Sequence, residues 1–533
     1  MLFDSVFIGI LVPLSMNFKF VLNQLGLLLV VLGGLMLLVA GLDVLAFTQS
    51  SGVATAMALS ALVGLGIGGI LAGGTRLHSI RNPETDRRWL GRREAMLLVA
   101  LSWFLGALLS ALPYRLWAAF TADGNPAHAF TSFADCYFEA TSGLTGTGAT
   151  ILGNIEAIPK ALLFWRALTH WFGGLGIVVL FVAVLPSLGA GGKRLFNMEG
   201  PKTTPDGVKP QIRESARTLW VIYSGLTLVL ILGLRIAGMG WFDATCHAFS
   251  TIATGGLSTR NASTGAFDQN LAIDWLLIVF MVLSSVNFGL YYLVYQGKVK
   301  QVWKDTELRV YLAMLTIGSV IVTVSLLGQN LTLTTGEELS PTTAQTVRHA
   351  IFNVVSIQST TGFCSSDFNQ WPLVAQAVLI TLMFSGGCSG STSGGLKVIR
   401  VWTMLKILAS EMEHTYRPQV VRPLRVGSSN LDPVTKMGVL VYFQEILLLL
   451  AVGTVLLMIL ESGRSDCDFA TASTATLSAL CTVGPGFGRV GAVENFGWFS
   501  DASKWMLSLW MVIGRLEVFA VATLFLPHFW RQD

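Results

Sequence analysis

Charge is scarce in this chain of 533 residues: Asp, Glu, Lys and Arg make up 12% of it, against 53% hydrophobic residues. Soluble domains carry roughly 25% charged residues, so a soluble globular protein is excluded and a polytopic membrane protein is indicated. A net charge of +4 gives a nucleic-acid partner no support. The six cysteines (Cys136, Cys246, Cys364, Cys388, Cys467 and Cys481) form no CxxC pair. That excludes the usual redox and zinc spacings and leaves small, buried apolar side chains. The seven histidines are scattered and make no HExxH. Gly64-Leu-Gly66-Ile-Gly68-Gly69 matches GxGxxG, but it lies inside an apolar run with no strand before it. It reads as helix packing through Gly64/Gly68 and Gly69/Gly73. Residues 386–397 resemble a phosphate loop only faintly, since Leu396 separates Gly395 from Lys397. An enzyme would need convergent acid/base or metal-ligating residues at one membrane face, and the sequence offers none. There is no large soluble region, so any cytosolic control domain is expected on a separate chain. Residues 5–15 are apolar but lack the basic flank and cleavage site of a signal peptide. Met16-Asn-Phe-Lys-Phe reads as a second start, which leaves Met1 and Met16 both open.

Apolar runs are what the chain has in abundance. A spanning helix needs about 20 such residues, and runs fall near 21–48, 53–74, 95–112, 161–187, 218–238, 271–296, 309–328, 437–461 and 503–528. Residues 371–412 are apolar at both ends and interrupted by glycine; counted as one broken span, they bring the total to ten. Segments 76–93, 188–217, 297–309 and 397–436 hold 23 of the 35 Lys and Arg. With ten spans, all four segments share a side with both termini, and the positive-inside rule makes that side the cytoplasm.

One short pattern recurs. Ser142-Gly-Leu-Thr-Gly-Thr-Gly148, Ser250-Thr-Ile-Ala-Thr-Gly-Gly256, Ser356-Ile-Gln-Ser-Thr-Thr-Gly362 and Ser478-Ala-Leu-Cys-Thr-Val-Gly484 each place a serine six residues before a glycine, between long apolar segments. After a leader and two helices in 1–75, the chain divides into units at 92–190, 215–298, 308–412 and 434–530, each a helix, a short segment, this loop and a helix. The short segments 131–142, 241–250, 346–357 and 468–478 cannot cross a bilayer and read as re-entrant helices. Non-helical backbone at membrane depth must be buried in protein or line water, so the loops are expected to face one central cavity. The negative ends of four half-helices would converge there, favouring a cation. Rings of backbone carbonyls replace a cation's water shell, as in the TVGYG filter of potassium channels, and Thr482-Val483-Gly484-Pro485-Gly486 is close to that sequence. The candidate ion-binding residues are therefore Thr145, Gly146, Thr147 and Gly148; Ala253, Thr254, Gly255 and Gly256; Ser359, Thr360, Thr361 and Gly362; and Cys481, Thr482, Val483 and Gly484.

Gly386-Gly-Cys-Ser-Gly-Ser-Thr-Ser-Gly-Gly395 interrupts a span with ten small or polar residues. Glycine weakens a helix by about 1 kcal/mol per position relative to alanine. The stretch reads as a flexible gate under the third loop, with Gly386, Gly387, Gly390, Gly394 and Gly395 as its pivots, or as a close-packed helix crossing. Arg515 lies mid-span, where a charge costs roughly 2.5–3.5 kcal/mol. It is expected to face a polar interior, as a barrier to cations, as a partner for carbonyls of the 386–395 loop, or in a structural ion pair. Glu517 does not share its helix face. Asn287 either lines the cavity or bonds between helices. Asp135, Glu139 and Asp243 either attract cations at the outer mouth or are solvated or helix-end acids. His170 and His247, at segment ends, are expected to be structural.

Taken together, the four loops, the stretch GGCSGSTSGGLKVIR (386–400) and GRLEVFAVATLFLPHFWR (514–531) resemble the Trk/Ktr/HKT potassium transporters, most nearly the bacterial TrkH/TrkG branch. Trp165-Arg-Ala-Leu-Thr-His-Trp-Phe-Gly-Gly-Leu-Gly and Phe249-Ser-Thr-Ile-Ala-Thr-Gly-Gly-Leu-Ser-Thr resemble it too. The resemblance covers about 16–530. It implies potassium uptake through a channel-like pore in the bacterial inner membrane and no enzymatic activity. It also implies no covalent cofactor, a homodimer, and a cytosolic TrkA-type nucleotide-binding regulatory subunit. It puts filter glycines at Gly148, Gly256, Gly362 and Gly484, the gating loop at Gly386–Gly395 and a filter-proximal arginine at Arg515. In plant relatives a serine at the first filter glycine accompanies sodium transport; glycine at 148 favours potassium. Gly146 departs from the usual bacterial threonine and removes a hydroxyl from the first wall. The expectation is an all-α polytopic membrane protein, two leading helices plus four helix–pore loop–helix units around one pore. The alternatives are the potassium-binding subunit of an ATP-driven pump or a less selective potassium/sodium transporter.

Overall fold

The computed structural model describes residues 17–47, 52–81, 91–121, 130–183, 208–268, 270–419, 424–427, 429–464 and 467–530. The leader 1–15 and most of the basic segment 188–217 lie outside them. Among the described residues, the only paired strands are two short hairpins, Leu331–Thr332 with Glu338–Leu339 and Arg425–Val426 with Ser429–Asn430. Everything else that is regular is helix.

Helices α1 (Phe18–Leu45) and α2 (Val53–Arg81) pack through glycine. A Cβ on Gly26 would stand 2.7 Å from Ala72 N, one on Gly68 2.6 Å from Gly26 O, and one on Gly64 3.2 Å from Leu29 O. Backbones approach this closely only where side chains are absent. The second expected pair is corrected: nothing lies within 4 Å of a Cβ on Gly69 or Gly73. Those two positions are turned one residue, about 100°, from the packed stripe.

Four units follow. The first is α3 (Arg92–Phe120), α4 (Phe133–Thr145) and α5 (Lys160–Ala183). The second is α6 (Val208–Ile236), α7 (Trp241–Ile252), α8 (Leu271–Ser285) and α9 (Phe288–Tyr295), with α10 (Val299–Trp303) after it. The third is α11 (Thr306–Leu326), α12 (Thr343–Gln358), α13 (Leu373–Ser385) and α14 (Val398–Tyr416). The fourth is α15 (Pro433–Leu460), α16 (Phe469–Cys481), α17 (Asp501–Arg515), α18 (Phe519–Ala522) and α19 (Pro527–Trp530). Among the described residues, six helices are long and apolar enough to cross a membrane alone, or seven if the bent pair α8–α9 is one span.

The short helices α4, α7, α12 and α16 run 12 to 16 residues, about 18–24 Å at 1.5 Å per residue, too short for a ~30 Å hydrocarbon core. Their starts are written locally. Ser132 and Asp135 form a capping box on α4, Thr342 and Gln345 form one on α12, and the Asp468 carboxylate accepts from Thr471 N on α16. Such caps satisfy the unpaired amides of a first turn.

The runs 271–296 and 503–528 are not continuous helices, which corrects the count of unbroken spans. The first bends by 94° between α8 and α9. There the Ser284 and Ser285 hydroxyls turn back onto Met281 O, and Asn287 caps α9 by accepting from Gly289 N at 2.8 Å. The second stops at Arg515 because Glu517 (φ 58°) and Val518 (φ 51°) are left-handed. With 386–397, three of the four spans that follow the loops are therefore broken among the described residues, and α5 is continuous over Lys160–Ala183.

Polar bridges close the units into a ring. Ile155 N donates to Asn261 Oδ1 at 2.6 Å between the first and second. Arg348 pairs with Asp274 at 3.0 Å between second and third. Asn369 exchanges two bonds with Gly488 at 2.9 and 3.0 Å between third and fourth. Phe496 N donates to Thr150 O at 2.8 Å and Lys504 pairs with Asp135 at 2.5 Å between fourth and first.

Candidate functional site: a ring of four loops above a broken helix

Each short helix ends in the same way. Thr147 N donates to Ser142 O at 3.0 Å, Gly255 N to Ser250 O at 2.8 Å, Thr361 N to Ser356 O at 2.9 Å and Val483 N to Ser478 O at 3.0 Å. This bond across five residues is the Schellman closure, and it requires a left-handed residue before its donor. That residue is Gly146 (φ 68°), Thr254 (φ 54°), Thr360 (φ 56°) or Thr482 (φ 49°). A left-handed threonine is a genuine outlier, because its branched Cβ crowds the backbone. Three walls tolerate it and the first relieves it with glycine.

The serines do more than accept. Ser250 Oγ donates to Leu257 O at 2.8 Å, Ser356 Oγ to Phe363 O at 2.6 Å and Ser478 Oγ to Gly484 O at 2.6 Å. The hydroxyl thus ties the outgoing end of the loop to the helix. Ser142 Oγ has no partner among the described residues.

The loops meet edge to edge. A Cβ on Gly148 would press on the carbonyl oxygen of Gly255, one on Gly256 on that of Thr361, one on Gly362 on that of Val483, and one on Gly484 would stand 2.8 Å from that of Thr147. Each glycine of one loop therefore abuts the carbonyl preceding the glycine of the next, in the order first, second, third, fourth, first. The four glycines are also left-handed, φ 71–103°, a conformation that glycine adopts without strain. Beyond them lies a cavity of ≈ 120 Å³ lined by Gly148, Gly256, Gly362 and Gly484 together with Arg166, Arg260 and Glu494. The sixteen candidate ion-binding residues are all buried or half-buried in these four loops. Hydroxyl pairs stiffen two facing walls: Thr145 with Thr147 and Ser359 with Thr361, each at 2.7 Å.

The non-helical stretch 386–397 reaches across the side of this ring away from the cavity. Thr392 Oγ1 donates to Ile252 O and Ser284 O, both at 3.0 Å. Cys388 N donates to Ser285 O at 2.9 Å, and Gly390 O accepts from Phe288 N at 3.1 Å. Gly394 N donates to Thr360 Oγ1 at 2.8 Å, and a Cβ on Gly394 would collide with Thr482 Oγ1 and Cys481 O. Gly386, Gly390 and Gly395 are left-handed (φ 63°, 72°, 74°), and Gly386 and Gly395 pack against each other where the stretch enters and leaves. Gly387 lies against Ser393. Arg515 is buried; its Nη1 donates to Thr392 O at 2.7 Å, while Nε and Nη2 have no hydrogen-bond partner among the described residues. A Cβ on Gly146 would lie 3.6 Å from Nη2. Of the contacts open to Arg515, the one with a carbonyl of the 386–395 loop is present, and among the described residues it has no ion-pair partner. Glu517 pairs instead with Arg400, at 2.6 Å.

The sequence pattern of the TrkH family, described as a cation transport protein, matches residues 115–532. The chain belongs to the TrkH family. It is 36% identical over 519 residues to the Trk system potassium uptake protein TrkH of Salmonella typhimurium, covering 97% of this chain and all of that one. It is 33% identical over 448 residues to the Trk system potassium uptake protein TrkG of Escherichia coli K12, covering 83% and 86%. The crystal structure of the potassium transporter TrkH from Vibrio parahaemolyticus superposes with a TM-score of 0.82 at 32% identity, covering 97% of this chain and 100% of that one.

In this TrkH-family chain the acids near the loops have partners. Asp135 caps α4 and pairs with Lys504; Glu139, fully buried, pairs with Arg166 at 2.7 Å; Asp243 pairs with Arg260 at 3.1 Å. Asp135 and Asp243 are helix-end acids, in the first turns of α4 and α7, whereas Glu139 is neither solvated nor at a helix end but a buried ion-pair partner. His247 is structural, bridging Asp243 O and Ser258 Oγ at 2.8 and 3.0 Å, and His170 Nδ1 lies 3.3 Å from Ser250 Oγ. Sequence reasoning missed Glu307, which accepts from both Ser389 N (2.7 Å) and Ile399 N (3.2 Å) and so holds both ends of the broken stretch. No local pattern marks it, because its partners lie more than 80 residues away. The serine clamp was legible in the invariant spacing, but only the folded loop shows what the hydroxyl binds.

Proposed function

We propose that this protein takes up potassium across a bacterial inner membrane, through a channel-like pore lined by the four loops. The observation that carries the reading is the closed ring in which each loop's glycine abuts the carbonyl preceding the next loop's glycine. Backbone carbonyls at Thr145–Gly148, Ala253–Gly256, Ser359–Gly362 and Cys481–Gly484 replace the water that a potassium ion sheds. The cavity beyond the glycines is the outer vestibule, with room for several waters. The C-terminal ends of α4, α7, α12 and α16 direct their partial negative charge at the ring and favour a cation there. Beneath it, Gly386–Gly395 is the gate, and Arg515, with two donor nitrogens unpartnered among the described residues, raises the barrier to cation passage while it holds Thr392 O. The relatives named as Trk system potassium uptake proteins support the ion. The four units, a homodimer, cytoplasmic termini and a TrkA-type nucleotide-binding partner belong to the same reading.

One observation favours less stringent selection between potassium and sodium. The first wall has glycine where the others have threonine, and its serine hydroxyl is unclamped. Rubidium uptake into proteoliposomes, competed by potassium or sodium and run with and without a pH gradient, decides. Potassium competing at least tenfold better than sodium supports the filter; equal competition supports the less selective alternative. Flux that appears only with a P-type ATPase chain supports the pump-subunit alternative.

A further inference from the structure

Behind each loop, three residues before its serine, the short helix carries a side chain of different chemistry: Glu139, His247, Asn353 and Ala475. The first three brace the outgoing strand of their own loop. Glu139 accepts from Thr150 Oγ1 at 3.0 Å and Ile151 N at 3.0 Å. His247 Nε2 meets Ser258 Oγ at 3.0 Å. Asn353 Nδ2 donates to Ser365 Oγ at 3.0 Å and Ser366 Oγ at 3.1 Å. In the fourth wall Thr474, one residue earlier, accepts from Phe487 N at 2.9 Å. Only the first brace is charged. Arg166 Nε donates to Glu139 Oε1 at 2.7 Å, and the two side chains are 2% and 0% exposed. The guanidinium also joins two walls: Nη2 donates to Thr150 Oγ1 at 3.2 Å and Nη1 to Ser258 O at 3.4 Å, the residues eight after the serines of the first and second loops.

We infer that Glu139 and Arg166 are a positioning pair for ion selectivity, an ionic brace that holds the first wall's carbonyls in place of the contacts that wall lacks. The first wall has no threonine hydroxyl at its left-handed position, where Thr254 and Thr360 each make a hydrogen bond, and among the described residues no clamp from its serine. Its outgoing strand is fixed instead by charge-assisted bonds, about twice as strong as neutral ones. The pair touches no ion; it acts through Thr150 and Ile151 on Gly148, two and three residues upstream. The inference rests on the filter reading proposed above.

Sodium competition against rubidium uptake by the full chain in proteoliposomes tests it. A wild-type protein that fails to discriminate overturns the filter reading and this inference with it; a discriminating wild type isolates the brace. Glu139→Gln keeps an acceptor for Ile151 N but leaves Arg166 uncompensated, and discrimination is expected to fall about tenfold with rubidium flux retained. Gly146→Thr on that background should recover part of the loss. A Cβ fits there, 3.4 Å from Ala253 O, and the left-handed threonine is the one the other walls already accept. Thr150→Ala removes one hydroxyl and leaves the ion pair, and serves where Glu139→Gln does not assemble; a roughly threefold loss, less than one neutral hydrogen bond, is expected. Discrimination unchanged in Thr150→Ala, and in Glu139→Gln where it assembles, overturns the inference. So does a fall in flux with discrimination intact, which returns the pair to a purely folding role.

Discussion

Glycine at the end of each loop is required twice, by a left-handed φ and by the carbonyl it faces. The contact is not equal around the ring. A side chain at 256 would collide with Thr361 O, whereas one at 484 would begin 2.8 Å from Thr147 O. Gly256→Ser is therefore expected to reduce potassium-over-sodium discrimination by roughly tenfold or more, about 1.4 kcal/mol, and Gly484→Ser by less. Competition uptake measured on both variants checks the order, and equal selectivity in both would count against the ring as filter. Among the described residues Arg515 makes one hydrogen bond, with Thr392 O. If the ring is the pore, as proposed, Arg515→Ala removes a buried charge from beneath it, so basal rubidium flux should rise several-fold. Flux at the wild-type level would leave the arginine only a structural role.

Among the elements, the broken inner helices carry the difference between the units. Spans 271–296 and 503–528 look continuous by hydropathy because Val286, Leu516 and Val518 are as apolar as their neighbours. They break for reasons outside that measure. Ser284 O and Ser285 O bond to the 386–397 stretch, and Glu517 is drawn to Arg400. The 386–397 break was legible because glycine and serine cannot sustain a helix there without outside support. Gly394 is its tightest point, wedged between the third and fourth loops. Gly394→Ala must displace either Thr482 or the stretch itself, at about 1–3 kcal/mol for an overpacked site. If the stretch moves, basal flux rises while the sodium–potassium ratio stays put. A changed ratio with unchanged basal flux would instead place Gly394 in the filter.

For the whole molecule, the ring exists only when four distant segments are assembled, so an ion held by it is held by the folded state alone. Ligand that binds only the native state stabilises it by about 2.7 kcal/mol at a hundredfold excess over its dissociation constant. Potassium and rubidium are accordingly expected to raise the melting temperature of the detergent-solubilised protein above its value in equal sodium, with the increment lost in Gly256→Ser. Identical melting curves in potassium and sodium would argue that the loops bind no ion selectively.

By itself, the sequence determined the membrane class, the four short helices and the loops that follow them, because each is a local property. Apolar length decides whether a segment can span, caps such as Ser132 and Asp468 decide where a short helix starts, and Ser-x5-Gly marks where it closes. Only the tertiary structure decided which carbonyl each glycine faces, where Arg515 Nη1 goes, that Glu139 is an ion pair and not an open acid, and that two apparently continuous spans are broken. Those are contacts between residues far apart in the chain, such as Glu139 with Arg166 and Arg515 with Thr392. Their partners are selected by packing of the four units and not by any spacing along the chain.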